Sequence, residues 1–199
     1  MAVVVEHEKR RSEILSKALD LFVEEGYEDV TFQKIADRCG ITRTTLYIYF
    51  KNKREIFLWS IKQLTGGLEK KLVAIIADTS LSSPNCLKKI LNTVIDGCEE
   101  NHKLFNVLLP YILQLQRSGI DPSERVTRRI IKLQHLMSTV IIRGIKKGEF
   151  KKISVKVMND LFYDLIESAI FKLAVLNQAK AVEIRETIDV AIDEICTKK

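Results

Sequence analysis

An all-helical chain is what this sequence predicts, and three observations predict it. The 199 residues include only three prolines and eight glycines, so little interrupts a helix. No stretch alternates β-branched with polar residues as a half-buried strand does. Apolar residues recur instead at spacings of three and four. The runs are separated where a serine, threonine, asparagine or aspartate stands ready to cap a new helix. About nine helices result, with no internal repeat and no low-complexity tract.

The first helix is expected over residues 8–25, where Ile14, Leu15, Ala18, Leu19, Leu21 and Phe22 share a face and Gly26 ends it. Lys9, Arg10 and Arg11 at its start suit either a phosphate contact or a solvated first turn. Between Thr31 and Glu55 lie two short apolar-periodic segments, Phe32 to Cys39 and Arg43 to Phe50. Only Gly40 and Ile41, with Thr42 as a cap, separate them, which leaves room for a tight helix-to-helix turn and nothing larger. Gly40 meets the left-handed conformation such a turn requires, and Thr31 and Thr42 each precede a helix as hydroxyl caps. Ile35, Cys39, Ile41, Leu46 and Tyr49 fall on the faces the pair buries, with the small Ala36 at the crossing. Arg43, Thr44, Thr45, Tyr47 and Ile48 remain outside. That ridge is what a helix-turn-helix offers to a major groove.

Asn52 with Glu55 three residues on forms a capping box for a long helix. Ile56, Phe57, Trp59, Ile61, Leu64, Leu68 and Leu72 carry it to about Ile76. Gly66-Gly67 marks a kink or a small-residue contact within it. Ser83 and Pro84 read as N-cap and N1 of the next helix, with Leu87, Ile90, Leu91, Val94, Ile95 and Cys98 inside. Asn101 opens a segment to about Ser118 that Pro110 breaks or bends. Asp121-Pro122-Ser123-Glu124 is a second capping box, launching a helix to about Lys147 that Gly148 stops. Ser154 caps a helix to Asn177, and a last one runs from Ala181 to Cys196. These two are apolar on more than one stripe. Val157, Leu161, Leu165, Ile170, Leu173, Val175 and Leu176 lie on one helix, and Val182, Ile184, Ile188, Ala191, Ile192 and Ile195 on the other. A helix so broadly apolar has two neighbours, its own subunit and a partner across a two-fold axis. Ile188 is read as part of the outward stripe.

A net charge of +6 does not by itself indicate nucleic acid, because its distribution is uneven. Residues 1–60 balance ten basic against ten acidic side chains, and the excess lies in residues 101–160, with twelve against four. Arg125, Arg128, Arg129, Arg143, Lys146 and Lys147 there read as a solvated face. Cys39, Cys86, Cys98 and Cys196 have no metal-site spacing, so reduced thiols, no metal and no cofactor are expected. The apolar start is too short for a secretion signal, and no run approaches about 18 apolar residues, so a cytoplasmic protein without membrane contact is expected. A nucleophile elbow, a phosphate-binding glycine loop and a zinc-protease helix are all missing, and His7, His102 and His135 are scattered. An enzyme is not expected.

The run GITRTTLYIYFKNKREIF resembles the end of the DNA-binding module of the tetracycline-repressor (TetR) family, with its turn, recognition helix, Tyr-x-Tyr-Phe exit and following lysine. The resemblance covers about residues 9–60. It implies a three-helix helix-turn-helix DNA-binding domain over 1–52 and a helical effector-binding and dimerisation domain over 53–199. It also implies a homodimeric transcriptional regulator, a repressor released from an inverted-repeat operator in double-stranded DNA by a small, largely apolar effector. The alternative is a protein of the same fold controlled by a protein partner. On the ridge, Arg43 is placed to fork onto guanine and Thr44 to meet a thymine methyl or a base edge. The resemblance adds Gln33 as a base reader, and Thr31, Thr42, Thr45, Tyr47, Tyr49 and Lys53 as phosphate or mixed contacts. In the body, Cys98, His102, Phe105, Tyr111, His135, Met137, Phe162 and Tyr163 are the polar, polarisable or aromatic side chains expected to line an effector cavity.

Overall fold

In the computed structural model, the residues described are 2–121, 123–176 and 178–197, without the side chains of 2–4, 123–126 and 129. Among the described residues there are nine helices. They are α1 (Ala2–Glu25), α2 (Phe32–Cys39), α3 (Arg43–Tyr49), α4 (Lys53–Ala77), α5 (Ser83–Glu100), α6 (His102–Arg117), α7 (Ser123–Lys146), α8 (Val155–Ala174) and α9 (Val182–Ile195). One isolated antiparallel bridge joins Phe150 to Cys196. No helix among the described residues is long and apolar enough to cross a membrane. The chain packs as two units, Met1–Gly67 with Asn106–Tyr111, and Leu68–Phe105 with Ile112–Lys199.

In the first unit, Ile14, Leu15, Ala18, Leu21 and Phe22 of α1 are buried, and α1 packs on α2. The helix begins at Ala2 rather than near residue 8, because nothing in VVVEHEK breaks it. The Ser60 hydroxyl donates to the Leu15 carbonyl at 2.8 Å, so this buried polar group of α4 is satisfied on α1. Phe22, Tyr27, Phe57 and Tyr111 form one aromatic cluster with centroids 4.6–5.7 Å apart. Burial, with Tyr111 and Glu28 beside it, pushes the Tyr27 phenol up to about 12. Tyr111 reaches the cluster because α6 runs unbroken through Pro110, which removes the bond to the Asn106 carbonyl without ending the helix.

The second unit is built around α5, which packs against α7, α8 and α9. Leu87, Ile90, Leu91, Val94, Ile95 and Cys98 are all buried in its core, as their spacing predicts. The cap lies one residue earlier than expected. Ser82 accepts from the Asn85 N–H, while Ser83 is fully buried and gives its N–H to Glu149 at 2.9 Å. Of the Asp121–Glu124 capping box, Pro122 and the side chains of Ser123 and Glu124 lie outside the described residues, as do the side chains of Arg125 and Arg129. Ser154 caps α8 as expected, and α8 ends at Ala174 rather than Asn177.

The two apolar stripes of α8 and α9 resolve differently from expectation. Ile184, Ile188, Ile192 and Ile195 face inward, and Ile188 is fully buried in its own subunit's core. A repeat of four, four and three keeps them on one side of α9. Left outside are Val157, Leu161, Phe171, Val175 and Leu176 of the α8 region and Val182 and Val190 of α9.

Gly144 fixes how closely α7 approaches the segment that follows it. A Cβ there would stand 2.1 Å from the Phe150 ring and 2.9 Å from the Ser83 Cβ. Phe150 is itself only 2% exposed and has little room to retreat. Gly144→Ala should therefore destabilise the protein by about 1–3 kcal/mol despite the better helix propensity of alanine, and urea unfolding of the two proteins measures it.

Candidate nucleic-acid interface

The interface starts with a turn of few residues. Gly40 has φ +67°, its N–H donates to the Asp37 carbonyl at 3.0 Å, and the Ile41 N–H reaches the Ala36 carbonyl at 3.0 Å. This paired closure satisfies the last carbonyls of α2 and requires the left-handed residue that glycine supplies. Thr31 Oγ1 accepts from the Lys34 N–H at 3.2 Å, and Thr42 Oγ1 from the Thr45 N–H at 3.0 Å. Both caps expected from the sequence are in place. Ile35, Ala36, Cys39, Leu46 and Phe50 are buried beneath them, so α2 and α3 form one rigid footing, while Ile41 and Tyr49 stay half-buried.

On that footing stands an exposed ridge of Thr42, Arg43, Thr44, Tyr47 and Ile48, with Thr45 half-buried beside it. Ile48 is 71% exposed, a large solvent contact for an isoleucine, and no partner among the described residues covers it. The ridge is pre-ordered by a chain of contacts. The Phe32 ring lies 4.6 Å from the Tyr47 ring, and the Tyr47 Oη accepts from Arg43 Nη2 at 3.3 Å. Holding a guanidinium this way reduces the rotamer freedom lost when it forks onto a base. Gln33 is exposed at the start of α2 and donates to Asp37 at 2.7 Å. Thr42 and Thr45 share a hydrogen bond at 2.8 Å.

Two residues of α1 lie near the ridge: His7, which was not anticipated, and Arg11, one of the three cations expected either at phosphate or in a solvated first turn. His7 stacks on Tyr49 with ring centroids 4.6 Å apart, and Arg11 lies 5.0 Å from the Phe50 ring and 4.3 Å from the Trp59 ring. His7 and Arg11 are four residues apart and share a face of α1. That spacing is legible in the sequence only once the helix is known to begin before residue 8.

The structure divides the local cations into two groups. Arg38 takes both oxygens of Glu24, at 3.1 and 2.5 Å, which holds the Glu24 carboxyl below its usual range. Lys34 pairs with Glu25 at 2.6 Å and donates to the Asp29 carbonyl. Lys53 donates to the carbonyls of Tyr27 at 2.7 Å and Glu28 at 3.1 Å, and lies 4.4 Å from the centre of the Tyr27 ring. Two of its three N–H donors thus tie the α1–α2 connection to α4, and one is left. Arg43, Lys51 and Arg54 are exposed and make no ion pair with a carboxylate among the described residues. Asn52 caps α4 by accepting from the Glu55 N–H at 2.8 Å, and the Glu55 carboxylate closes on the Lys51 N–H at 2.7 Å. Lys53→Met should lower the melting temperature of the protein as well as weaken any phosphate contact. The loss is about 1.5–3 kcal/mol, the worth of charged hydrogen bonds, and thermal unfolding without DNA isolates it.

The eight body residues do not converge on one cavity. Cys98, Met137 and Phe162 belong to the core of the second unit, with Phe105 packed against it. Burial pushes the Cys98 thiol up to about 11, as an inert core thiol requires. Tyr111 sits in the aromatic cluster of the first unit. His102 Nδ1 is 2.8 Å from the Glu99 carbonyl, a local bond at the α5–α6 turn. Tyr163 is half-buried, its phenol held well above the usual range by burial and Glu167. His135 is exposed in an open cleft between α7 and α8, away from the buried set.

Comparison with known proteins agrees with this geometry. Residues 14–58 match the profile of bacterial regulatory proteins of the tetR family, a span that contains α2, α3 and both caps. The chain is similar to a fatty acid metabolism regulator protein of Bacillus subtilis (strain 168), at 22% identity, covering 77% of this chain and 87% of that protein. It shares the fold of a TetR transcription regulator from Haloarcula marismortui ATCC 43049, with a TM-score of 0.78 and 21% identity over 96% of this chain and all of that one. It also shares the fold of FadR from Bacillus subtilis in complex with stearoyl-CoA, with a TM-score of 0.69 and 20% identity over 90% of this chain and 95% of that one. Proteins of this family are regulators, not enzymes. Helix-turn-helix geometry and profile cover the same residues, and residues 14–58 carry the helix-turn-helix module of the tetR family of bacterial regulatory proteins.

Proposed function

We propose that the protein is a sequence-specific, homodimeric transcriptional repressor that sets two α3 helices into successive major grooves of an inverted repeat. The observation that carries this reading is the exposed ridge from Arg43 to Ile48 on a buried Leu46 footing, with Arg43 already held by Tyr47. Thr44 and Gln33 join Arg43 in reading bases. Thr31, Thr42, Thr45, Tyr47, Tyr49 and the remaining donor of Lys53 position the phosphates, and Lys51 and Arg54 at the start of α4 add charge there. The functional division lies after residue 52. The dimer forms on the outward stripes of α8 and α9, where Val157, Leu161, Phe171, Val175, Val182 and Val190 are each at least 39% exposed. Selection from a random duplex library tests the reading. The enriched sequence should be an inverted repeat with half-sites about 34 Å apart or a multiple of it, and no enrichment would contradict it.

The effector is a largely apolar small molecule, and the name of the fatty acid metabolism regulator above, with the stearoyl-CoA bound to FadR, favours the fatty-acyl class. A protein partner in its place is favoured by one observation: Cys98, Met137 and Phe162 are spent on a closed core. Titrating stearoyl-CoA onto the protein–operator complex separates them, since only the first reading expects release. Coupling follows linkage, so a 100-fold loss of DNA affinity needs about 2.7 kcal/mol of preference for the DNA-incompetent state. Gly67 lies where the packing units divide, inside an unbroken α4, and beyond its chain neighbours and its own stretch of helix backbone no described heavy atom comes within 4 Å of the place of its Cβ. Among the described residues, then, nothing packs closely on it as a small-residue contact would. Gly67→Ala should stabilise α4 by up to about 1 kcal/mol and change release by the effector more than operator affinity without it, as parallel titrations measure.

A further inference from the structure

The cleft between α7 and α8 in the second unit has a volume of about 370 Å3 and is lined by Ile131, Gln134, His135, Ser138, Val155, Lys156, Asn159 and Asp160. Six of these are polar, unlike the apolar core behind them. Asn159 is only 7% exposed, and its Nδ2 donates to Ser138 Oγ at 2.6 Å, yet its Oδ1 has no partner among the described residues. Whichever way the amide is turned, one of its two polar ends remains to be satisfied. A buried group left so costs about 1–3 kcal/mol, and proteins retain such groups where a ligand or water completes them.

The same cleft holds the start of α8. Ser154 takes the Val157 N–H, and helix geometry leaves the N–H groups of Val155 and Lys156 without an intrahelical acceptor. The positive end of the helix, the Lys156 ammonium and the His135 imidazole together favour an anion. Asp160 adds an acceptor at the same wall, which repels a bare anion but accepts from a hydroxyl or amine next to one. We propose that this cleft binds a small hydrophilic metabolite with a phosphate or carboxylate adjacent to a hydrogen-bond donor. The anionic group is held by the α8 N-terminus and Lys156, and the donor by Asp160 and the Asn159 amide. This ligand differs in class from the apolar effector above, and the site stands whether or not that effector reading does.

The chain has three histidines, so the ring signals of His135 can be assigned by comparison with His135→Gln and followed by NMR in the full-length protein at constant ionic strength. Glycerol 3-phosphate and L-lactate are the probes, with glycerol as the uncharged control. A saturable shift of the His135 signal with either acid, absent with glycerol and with His7 and His102 unmoved, is expected. The stronger of the two acids identifies phosphate or carboxylate as the anionic group. Lys156→Gln, at an exposed position, and Asn159→Asp, which keeps the Ser138 bond but opposes an anion, should each weaken binding at least tenfold. A linear shift, an equal response to glycerol, or affinity unchanged in Lys156→Gln overturns the proposal. Operator binding by the same samples without probe tests the repressor reading separately.

Discussion

Phe171→Glu is expected to convert the dimer to a folded monomer and to weaken operator binding by about 100-fold or more, the range lost when two linked binding events become one. Phe171 is 55% exposed on the single chain, so its own subunit loses little when it changes. Across a two-fold axis, however, each carboxylate would be buried without a partner and would meet its symmetry mate's apolar surface. Light scattering gives the mass and circular dichroism the fold. Ile188→Glu is the instructive contrast: Ile188 is fully buried in its subunit's core, so a glutamate there should unfold the second unit instead of separating two intact subunits. A Phe171→Glu dimer of unchanged dissociation constant would remove the α8–α9 stripe as the interface.

Arg43→Ala should lose about 1–3 kcal/mol, roughly five- to 150-fold in affinity, at one operator position and little elsewhere. The guanidinium is exposed and its hydrogen bond to Tyr47 is local, so the change leaves Leu46, Ala36 and the footing untouched. Tyr47→Phe should combine a smaller loss at that same position with a loss shared by all sequences, because the ring remains on Phe32 while the Oη that holds Arg43 and positions a phosphate is gone. Competition binding on single-base operator variants reads both. An equal loss on every sequence would make Arg43 a phosphate contact and leave Thr44 and Gln33 to carry specificity.

The helix-turn-helix was legible because its determinants are local. Gly40, Thr31, Thr42 and Ala36 each act within a few residues, and each has the conformation or bond its position implies. Lys53 shows where locality ends: its position at a helix start suggested phosphate, but the carbonyls it serves are more than twenty residues away in sequence, and only the fold brings them near. Likewise residues 31–55 hold six basic against two acidic side chains in the sequence, yet the fold pairs Lys34 and Arg38 among them with Glu25 and Glu24 of α1. Ile188 fails for a related reason. A helix apolar on two sides gives the same periodicity whichever side is buried, and the choice depends on where α5 lies. The body candidates were chosen by residue type alone, and polarisable side chains such as Cys98 and Met137 fill cores as readily as they line cavities.

Whether Arg43 reads a base edge in the major groove is decided by a double-mutant cycle across the interface. Each guanine of the selected half-site is replaced in turn by 7-deazaguanine, which lacks the N7 acceptor, and affinity is measured for the unmodified protein and for Arg43→Ala. At one guanine per half-site the modified base should weaken the unmodified protein and leave Arg43→Ala unaffected, a coupling of about 1–3 kcal/mol. Losses that simply add at every guanine would contradict it.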